Sequence, residues 1–127
     1  MSEQTKETLD AVANRFWTAL DQGNMDEVMS CCLPSVTTWH NFDQKFQNFA
    51  ETKASLSSFV ENSISRNTRD IQREYFPDGF VQEHILEVQF KADAPKIAWH
   101  VCVLMRFKDG KLSTLREYIA PQGSFTP

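Results

Sequence analysis

The hydrophobic pattern of the chain changes its period once, near residue 69, and this change limits the folds that the sequence can adopt. Before that point, apolar residues recur at helical spacing, as Val12, Phe16 and Leu20 do. After it, long segments rich in β-branched and aromatic residues are separated by turn residues. Helices followed by a run of antiparallel strands are typical of an α+β fold with the helices on one face of a curved sheet.

The same pattern predicts three helices and five strands. The helices are expected over Thr5–Asp21, from Asn24 to before Pro34, and around Thr52–Ser65, and the strands over Ser35–Phe42, Asp70–Tyr75, Gly79–Phe90, Ile97–Phe107 and Lys111–Ile119. Gly23 is expected to end the first helix. Gly79 and Gly110 each follow Asp in a turn, where we expect them to take a positive φ. A long helix in the concavity of such a sheet leaves a pocket between the two.

Length, charge and cysteine content limit the class of protein. The 127 residues are expected to form one domain, 1–127. Thirteen Lys+Arg against 17 Asp+Glu give a net charge of −4 without a basic cluster, which argues against nucleic-acid binding. No stretch approaches the ~20 apolar residues of a membrane span, and the polar segment Met1–Asp10 predicts no signal peptide. Cys31, Cys32 and Cys102 cannot all pair, so we interpret them as reduced thiols of a cytoplasmic protein.

Three segments carry a resemblance to a known superfamily. They are residues 16–28 (FWTALDQGNMDEV), 35–43 (SVTTWHNFD) and 105–121 (MRFKDGKLSTLREYIAP). With the order of the elements, they resemble the nuclear-transport-factor-2-like (NTF2-like) superfamily, which includes SnoaL-like polyketide cyclases, ketosteroid isomerases and scytalone dehydratases. The resemblance implies a cone-like, cystatin-like α+β roll, in which N-terminal helices pack in the concavity of a strongly bent, mainly antiparallel sheet.

Two functional patterns of that superfamily are absent from this sequence. Where ketosteroid isomerases carry a Tyr on the first helix, an Asp base and a second acid, the chain has Phe16, His40 and Val103. A steroid isomerase is therefore rejected. SnoaL-like proteins often end their last strand in EYxD, and the segment Glu117–Ala120 lacks that Asp. The fold itself does not fix a function, since it is found in enzymes, binding proteins and transport factors.

Three residues are the candidates for catalysis. His40 lies near the end of the first predicted strand, at the position where the resemblance places a base, and imidazole is suited to proton transfer near neutral pH. Asp43 would orient that imidazole if the chain turned back. His84 shares a mostly apolar strand face, and dehydratases of the superfamily place a His there. The alternatives are a rim histidine beside a turn aspartate for the first two residues, and a hydrogen-bonded packing residue for His84.

A second set of residues is expected to bind the ligand, in a pocket between the first helix and the concave sheet. The set consists of aromatic and inward-facing side chains: Phe16, Trp17, Trp39, Tyr75, Trp99, Met105 and Glu117. The alternative is that the aromatic residues are ordinary core. Glu117 could equally form an ion pair with a neighbouring arginine. His100 alternates to the opposite face from Trp99, so we expect it to face outward.

These expectations define two candidate functions. The first is a cofactor-independent isomerase, cyclase or dehydratase that acts by proton transfer on a small, largely apolar molecule. The second is a non-catalytic ligand-binding or dimeric adaptor module on the same fold. Three scattered histidines without ligand spacing predict no metal site, and no cofactor is implied. A homodimer is expected through the outer sheet face, which carries Cys102, Leu104 and Tyr118.

Overall fold

A computed structural model describes residues 3–121 of the chain. The elements are three helices and six strands: α1 (Lys6–Gln22), α2 (Met25–Ser30), β1 (Cys32–His40), β2 (Phe46–Gln47), α3 (Phe49–Glu61), β3 (Ser65–Phe76), β4 (Gly79–Gln89), β5 (Ile97–Lys108) and β6 (Lys111–Pro121). They form the curved, mainly antiparallel α+β arrangement that the sequence predicts.

Local capping residues set the limits of the first two helices. The side chain of Thr5 accepts a hydrogen bond from the backbone N–H of Thr8, which starts α1. Gly23 ends α1 in the left-handed conformation with φ 75°, as predicted. Asn24 then starts α2 by accepting from the N–H of Glu27, which is also as predicted.

The third helix starts earlier than the apolar spacing predicts. Asn48 and Glu51 form a capping box, in which each side chain accepts a hydrogen bond from the backbone N–H of the other residue. This pair fixes the start of α3 at Phe49 instead of Thr52. The helix ends at Glu61, before Ser65, where β3 begins.

Two strand boundaries and one turn also differ from the sequence-based expectation. β3 begins at Ser65, five residues before the predicted start at Asp70. Its first half was not recognised because it is polar, and because a register shift at Asp70 (φ 57°) interrupts its alternation. β1 begins at Cys32, and the short β2 was not predicted. In the first turn, Asp78 and not Gly79 takes the positive φ, of 61°. Gly79 is instead enclosed, since a Cβ there would lie 2.5 Å from the carbonyl oxygen of Met105.

The strand order β2-β1-β6-β5-β4-β3 places the first long strand beside the last one. β1 and β6 pair in parallel, and every other neighbouring pair is antiparallel. Paired residues point to the same side of a sheet. The registers therefore align five side chains in one row across the inner face, which we call the central row: His40, Glu117, Val103, Gln82 and Arg73.

The core lies between this inner face and the apolar side of α1. Leu9, Ala13 and Phe16 of the helix are buried, as are Phe80 and Met105 of the sheet. The opposite face of the sheet carries exposed side chains, which alternate with the buried ones along β5 and β6. The apolar side chains of the sheet are therefore gathered on its helix side.

Candidate functional site

A mainly apolar cavity of about 450 Å³ lies between α1, α3 and the inner face of the sheet. Its lining comes from both helices, five strands and the turn after β1: Trp17, Leu20, His40, Phe42, Asp43, Gln47, Ser55, Leu56, Phe59, Leu86, Trp99, Glu117 and Ile119. A second space of about 30 Å³ adjoins it and reaches Phe16, Thr38 and Thr52. The two threonine hydroxyls hydrogen-bond each other at 2.7 Å.

His40 and Glu117 form a polar pair in the wall of this cavity. The parallel register of β1 and β6 places them side by side, with 3.2 Å between His40 Nε2 and Glu117 Oε1. Both residues are buried. The ring of Phe42, which is 69% exposed, stacks on the His40 ring at a centroid distance of 5.0 Å. His40 Nδ1 is buried and has no hydrogen-bond partner within residues 3–121.

Asp43, the expected partner of His40, has a different contact. It lines the same cavity, but its Oδ1 accepts a hydrogen bond from the backbone N–H of Lys45 at 3.2 Å. The chain turns directly after β1, where the N–H of Gln44 donates to the carbonyl of His40. That turn directs the Asp43 carboxylate to its own backbone. The carboxylate beside His40 is Glu117, which the sequence analysis assigned to ligand binding.

His84 lies behind the cavity wall and does not line the cavity. Its Nδ1 is 2.8 Å from Gln82 Nε2, and its ring centroid is 4.9 Å from that of Trp17. Burial lowers the pKa of His84 to about 4, Glu117 opposes this shift, and Arg73 adds to it. The imidazole is therefore neutral near pH 7. His40 and His84 thus flank Trp17 and Glu117 but do not meet in one open space.

Four of the seven predicted ligand-binding residues surround the cavity region. Trp17, Trp99 and Glu117 line the large cavity, and Phe16 lines the small space next to it. Period-2 alternation and helical spacing were sufficient to place these side chains. The buried Glu117 faces inward with them, as the alternation of β6 predicts.

The other three predicted ligand-binding residues lie elsewhere. Trp39 points to the outer face, since its neighbour His40 points inward, and its ring packs against Tyr118 at 5.2 Å. Tyr75 is half-buried and donates its hydroxyl proton to Asp10. Met105 shares the inner face with Trp99 but is completely buried in the core, where no cavity reaches it.

Sequence reasoning missed the contribution of α3 and of the turn after β1. Leu56 and Phe59 were recognised only as the apolar stripe of a helix, and they form one wall of the cavity. Phe42 was treated as the end of a strand. A signal for Gln82 was present, because it is a polar residue on a mostly apolar strand face, and the structure buries it completely.

Neither a metal centre nor a membrane-spanning helix is found in the part of the chain that the structure describes. Across residues 3–121, no three His, Cys, Asp or Glu side chains are grouped so that they could hold a metal ion. None of the helices in this range has the length and apolarity needed to cross a bilayer. The polar groups in the cavity wall are the imidazole of His40, the carboxylates of Asp43 and Glu117, the amide of Gln47 and the hydroxyl of Ser55.

Comparisons of the sequence and of the structure give different results. No protein-family model matches the sequence, and no curated protein does. Among solved structures, an NTF-2-like protein of unknown function from Burkholderia xenovorans LB400 has a TM-score of 0.75 at 14% identity, over 95% of this chain and 89% of that one. A protein with a ketosteroid isomerase-like fold from Catenulispora acidiphila DSM 44928, in complex with trimethylamine, gives 0.76 at 9% identity, over 87% and 85%.

A third solved structure, an epoxide hydrolase of the LEH-like type from M. tuberculosis, has a TM-score of 0.74 at 15% identity. The match covers 91% of this chain and 84% of that one. The TM-scores establish a common fold, and identities this low leave the activity open. With three helices against a curved six-stranded sheet, the chain has the NTF2-like α+β fold.

Proposed function

We propose that the protein is a cofactor-independent isomerase, cyclase or dehydratase, which transfers a proton on a small, largely apolar molecule bound in the cavity. The observation that carries this proposal is the buried pair of His40 and Glu117, 3.2 Å apart in an apolar cavity wall. A cavity of about 450 Å³ has the size of a small-molecule site. Titratable pairs inside apolar cavities are typical of catalytic sites.

In the proposed reaction, His40 is the general base. The free nitrogen of its imidazole takes a proton from the substrate, and the carboxylate of Glu117 stabilises the imidazolium that forms. The same proton then returns to another atom of the substrate or to a departing hydroxyl group. Low polarity in the surrounding walls strengthens the attraction between imidazolium and carboxylate. We assign the orienting role to Glu117 in place of Asp43, because the Asp43 carboxylate accepts a hydrogen bond from the backbone N–H of Lys45.

His84 is proposed as a hydrogen-bond donor that stabilises negative charge developing on the substrate. A neutral imidazole donates a hydrogen bond without the cost of burying a charge. Its position behind Trp17, at 4.9 Å between ring centroids, supports a role at the inner end of the site. Trp17 and Trp99 would contact the apolar body of the substrate.

The experiment is a turnover assay on enolisable ketones and β-hydroxy ketones, with binding followed by tryptophan fluorescence. We expect His40→Gln to lower turnover about a hundredfold or more, since a positioned general base contributes 10²–10⁴-fold. Glu117→Gln should lower it less, because the imidazole remains. His100→Gln is the matched control, since His100 is exposed on the outer face. Binding without turnover, unchanged in the His40 variant, would instead establish the non-catalytic ligand-binding or adaptor module.

A homodimer through the outer face of the sheet is part of the same proposal. Cys102 and Tyr118 pair across β5 and β6 on that face and are exposed, and Leu104 next to them is half-buried. A groove of about 470 Å³ runs along the same face. The groove also contains polar residues such as Glu83 and His100, and a second copy of the chain would cover the exposed apolar part of this face without another partner.

We also propose that the protein works in the cytoplasm. Cys31, Cys32 and Cys102 are all free thiols, and the first two are buried next to each other. Burial raises the pKa of Cys32 to about 12, so that its thiol stays protonated and unreactive. Free thiols of this kind are usual in a reducing compartment. Survival of all three thiols in protein purified from the periplasm would contradict this argument.

A further inference from the structure

Two buried ring nitrogens lie near the inner end of the cavity, that of Trp17 in its wall and that of His84 behind it. The indole Nε1 of Trp17 and the Nε2 of His84 have no hydrogen-bond partner in the range 3–121, although Trp17 is only 4% exposed and His84 only 3%. Their rings are 4.9 Å apart. Buried polar groups are nearly always paired, because leaving one unpaired is costly. The position of two such groups in contact therefore needs an explanation.

The tautomer of His84 follows from a chain of hydrogen bonds along the central row. Arg73 Nε donates to Gln82 Oε1 at 2.9 Å. A guanidinium group has no acceptor, so the amide oxygen of Gln82 must face Arg73 and the NH₂ group must face His84. The 2.8 Å contact between Gln82 Nε2 and His84 Nδ1 is then donated by the amide. Nδ1 accepts, and the ring proton is on Nε2.

Arg73 is itself held in place, and this fixes the direction of the hydrogen bonds from Arg73 through Gln82 to His84. Its Nη1 donates to Asp10 Oδ1 and its Nη2 to Asn14 Oδ1, both at 2.8 Å. The side chain is 8% exposed and covers the ring of Phe80 at 4.7 Å. Three anchored donors leave the guanidinium no freedom to reverse its contact with Gln82.

The position of the Nε2–H follows from the strand geometry. Gln82, His84 and Leu86 share the inner face of β4. Because Nδ1 faces Gln82, the Nε2 edge of the ring points away from Gln82, to the side of Leu86 and Trp17. Both of these residues line the cavity. Trp17 thus lines the cavity and the Nε2–H of His84 lies behind it, so that an oxygen atom entering the wall beside Trp17 and Leu86 would meet both donors.

Electrostatics favour an uncharged ligand at this position. Burial keeps His84 neutral by lowering its pKa to about 4, so neither donor carries a charge. The carboxylate of Glu117 lies close by in the same wall, and it would repel an anion. The positive charge of Arg73 is already offset by Asp10. What remains is a pair of neutral donors, which suit the lone pairs of a carbonyl, ether or hydroxyl oxygen.

We infer that Arg73 and Gln82 lock His84 in the Nε2–H tautomer, so that His84 and Trp17 present two neutral donors to one oxygen atom of an uncharged ligand. Gln82 and Arg73 are then positioning residues of the site. The ligand part of this inference rests on the proposed function only in that the cavity takes a small molecule. The tautomer part is independent of any turnover.

The tautomer is tested by ¹⁵N NMR of the imidazole nitrogens at pH 7, with the signals assigned by His→Gln variants. We expect Nε2 of His84 to be protonated and Nδ1 to be the acceptor. In Gln82→Glu, a carboxylate paired with Arg73 would accept from Nδ1–H, so we expect the pattern of His84 to move to a protonated Nδ1. The exposed His100 should keep its signals in both proteins. A protonated Nδ1 in the unmutated protein would overturn the inference, even if the variant failed to fold.

The ligand class is tested with acetophenone, its isostere α-methylstyrene, which has a CH₂ group in place of the oxygen, and benzoate. We expect acetophenone to bind about tenfold more tightly than α-methylstyrene, because it supplies an acceptor for two donors. Its binding should shift the indole N–H proton signal of Trp17 downfield, and benzoate should bind more weakly than the ketone.

The variant Trp17→Phe removes one donor and keeps a ring in the cavity wall. We expect it to reduce the preference for acetophenone over α-methylstyrene about threefold, with α-methylstyrene affinity nearly unchanged. Equal affinities for the two isosteres, tighter binding of benzoate, or no binding of acetophenone would overturn the ligand part. None of these outcomes depends on catalysis, so a failure of the proposed enzyme activity remains a separate result.

Discussion

At the scale of single residues, His84 couples the stability of the fold to pH. Its pKa is about 4 in the folded protein, mainly because of burial, against 6.5 for a free imidazole. Between these values the unfolded chain binds a proton that the folded protein does not bind. The contribution to the free energy of unfolding is therefore complete above pH 6.5 and decreases by about 3 kcal/mol as the pH falls to 4.

The measurement is urea unfolding at pH 7, 5.5 and 4. We expect His84→Gln to be less sensitive to acid than the unmutated protein by about 3 kcal/mol over this range. His100→Gln, on the exposed side of β5, should keep the full sensitivity. Identical acid sensitivity in His84→Gln and the unmutated protein would mean that His84 is charged or accessible in the folded state.

Trp99 and Met105 share one face of β5, yet only Trp99 borders open space. We expect Trp99→Ala to lower the free energy of unfolding by about 1–2 kcal/mol, since part of this ring already faces the cavity. Met105→Ala should lower it by about 2–5 kcal/mol, because it leaves a void in a closed core. Urea unfolding at pH 7 measures both. A larger loss for Trp99→Ala than for Met105→Ala would indicate that Trp99 is ordinary core.

The same residues show what strand alternation can and cannot predict. Alternation placed Glu117 and Trp99 on the inner face from the sequence alone, whereas the position of His40 in the site was expected from the resemblance. It did not reveal that His40 contacts Glu117, because that contact depends on the parallel register of two strands far apart in the sequence. Alternation also did not distinguish Trp99 from Met105. The position of α3 decides which residue of the inner face borders the cavity, and strand alternation carries no information about that position.

At the scale of elements, Gly79 is needed for a close approach and Gly110 for a backbone conformation. A Cβ on Gly79 would lie 2.4 Å from a ring atom of Phe76 and 2.5 Å from the carbonyl oxygen of Met105. Gly110 has open space around it and a φ of 73°. We expect Gly79→Ala to cost about 3 kcal/mol by overpacking and Gly110→Ala about 1 kcal/mol by strain. Thermal unfolding of both variants measures the difference, and equal losses would contradict it.

Element boundaries were predictable where a local signal exists. Gly23 and Asn24 mark the junction of α1 and α2 in the sequence and in the structure. The capping box of Asn48 and Glu51 was also present in the sequence, but the apolar spacing pointed to a later start of α3. The first half of β3 carries no alternation of its own, and its conformation is fixed by pairing with β4. Propensity is overruled there by tertiary contacts.

At the scale of the whole molecule, we expect a dimer with twice the chain mass of 14.6 kDa. Tyr118→Asp should convert it to a monomer, because it buries a charge in the proposed apolar interface. Phe42→Asp is the control, since Phe42 is exposed but lies on the cavity side. Light scattering at micromolar concentration reports the mass. A monomer in the unmutated protein would contradict the proposed interface.

The overall architecture was predictable from the change in period and from the resemblance carried by the three segments. Mainly antiparallel pairing followed from short turns such as Asp109-Gly110. The neighbours of β1 could not be deduced this way, because no turn connects it to β6. Long-range pairing of that kind is set by how the complete inner face packs on α1.

The pairing of β1 with β6 has a consequence for the order of events during synthesis. β1 is made early, but apart from the two-residue β2 it has no neighbour in the sheet until β6 is available. Closing so long a loop makes this contact a late step in folding. The chain emerging from the ribosome therefore carries a largely unpaired edge at β1, and such an edge favours pairing with other chains until β6 is made. Since Glu117 arrives only with β6, the pair of His40 and Glu117 forms only after β6 has been made.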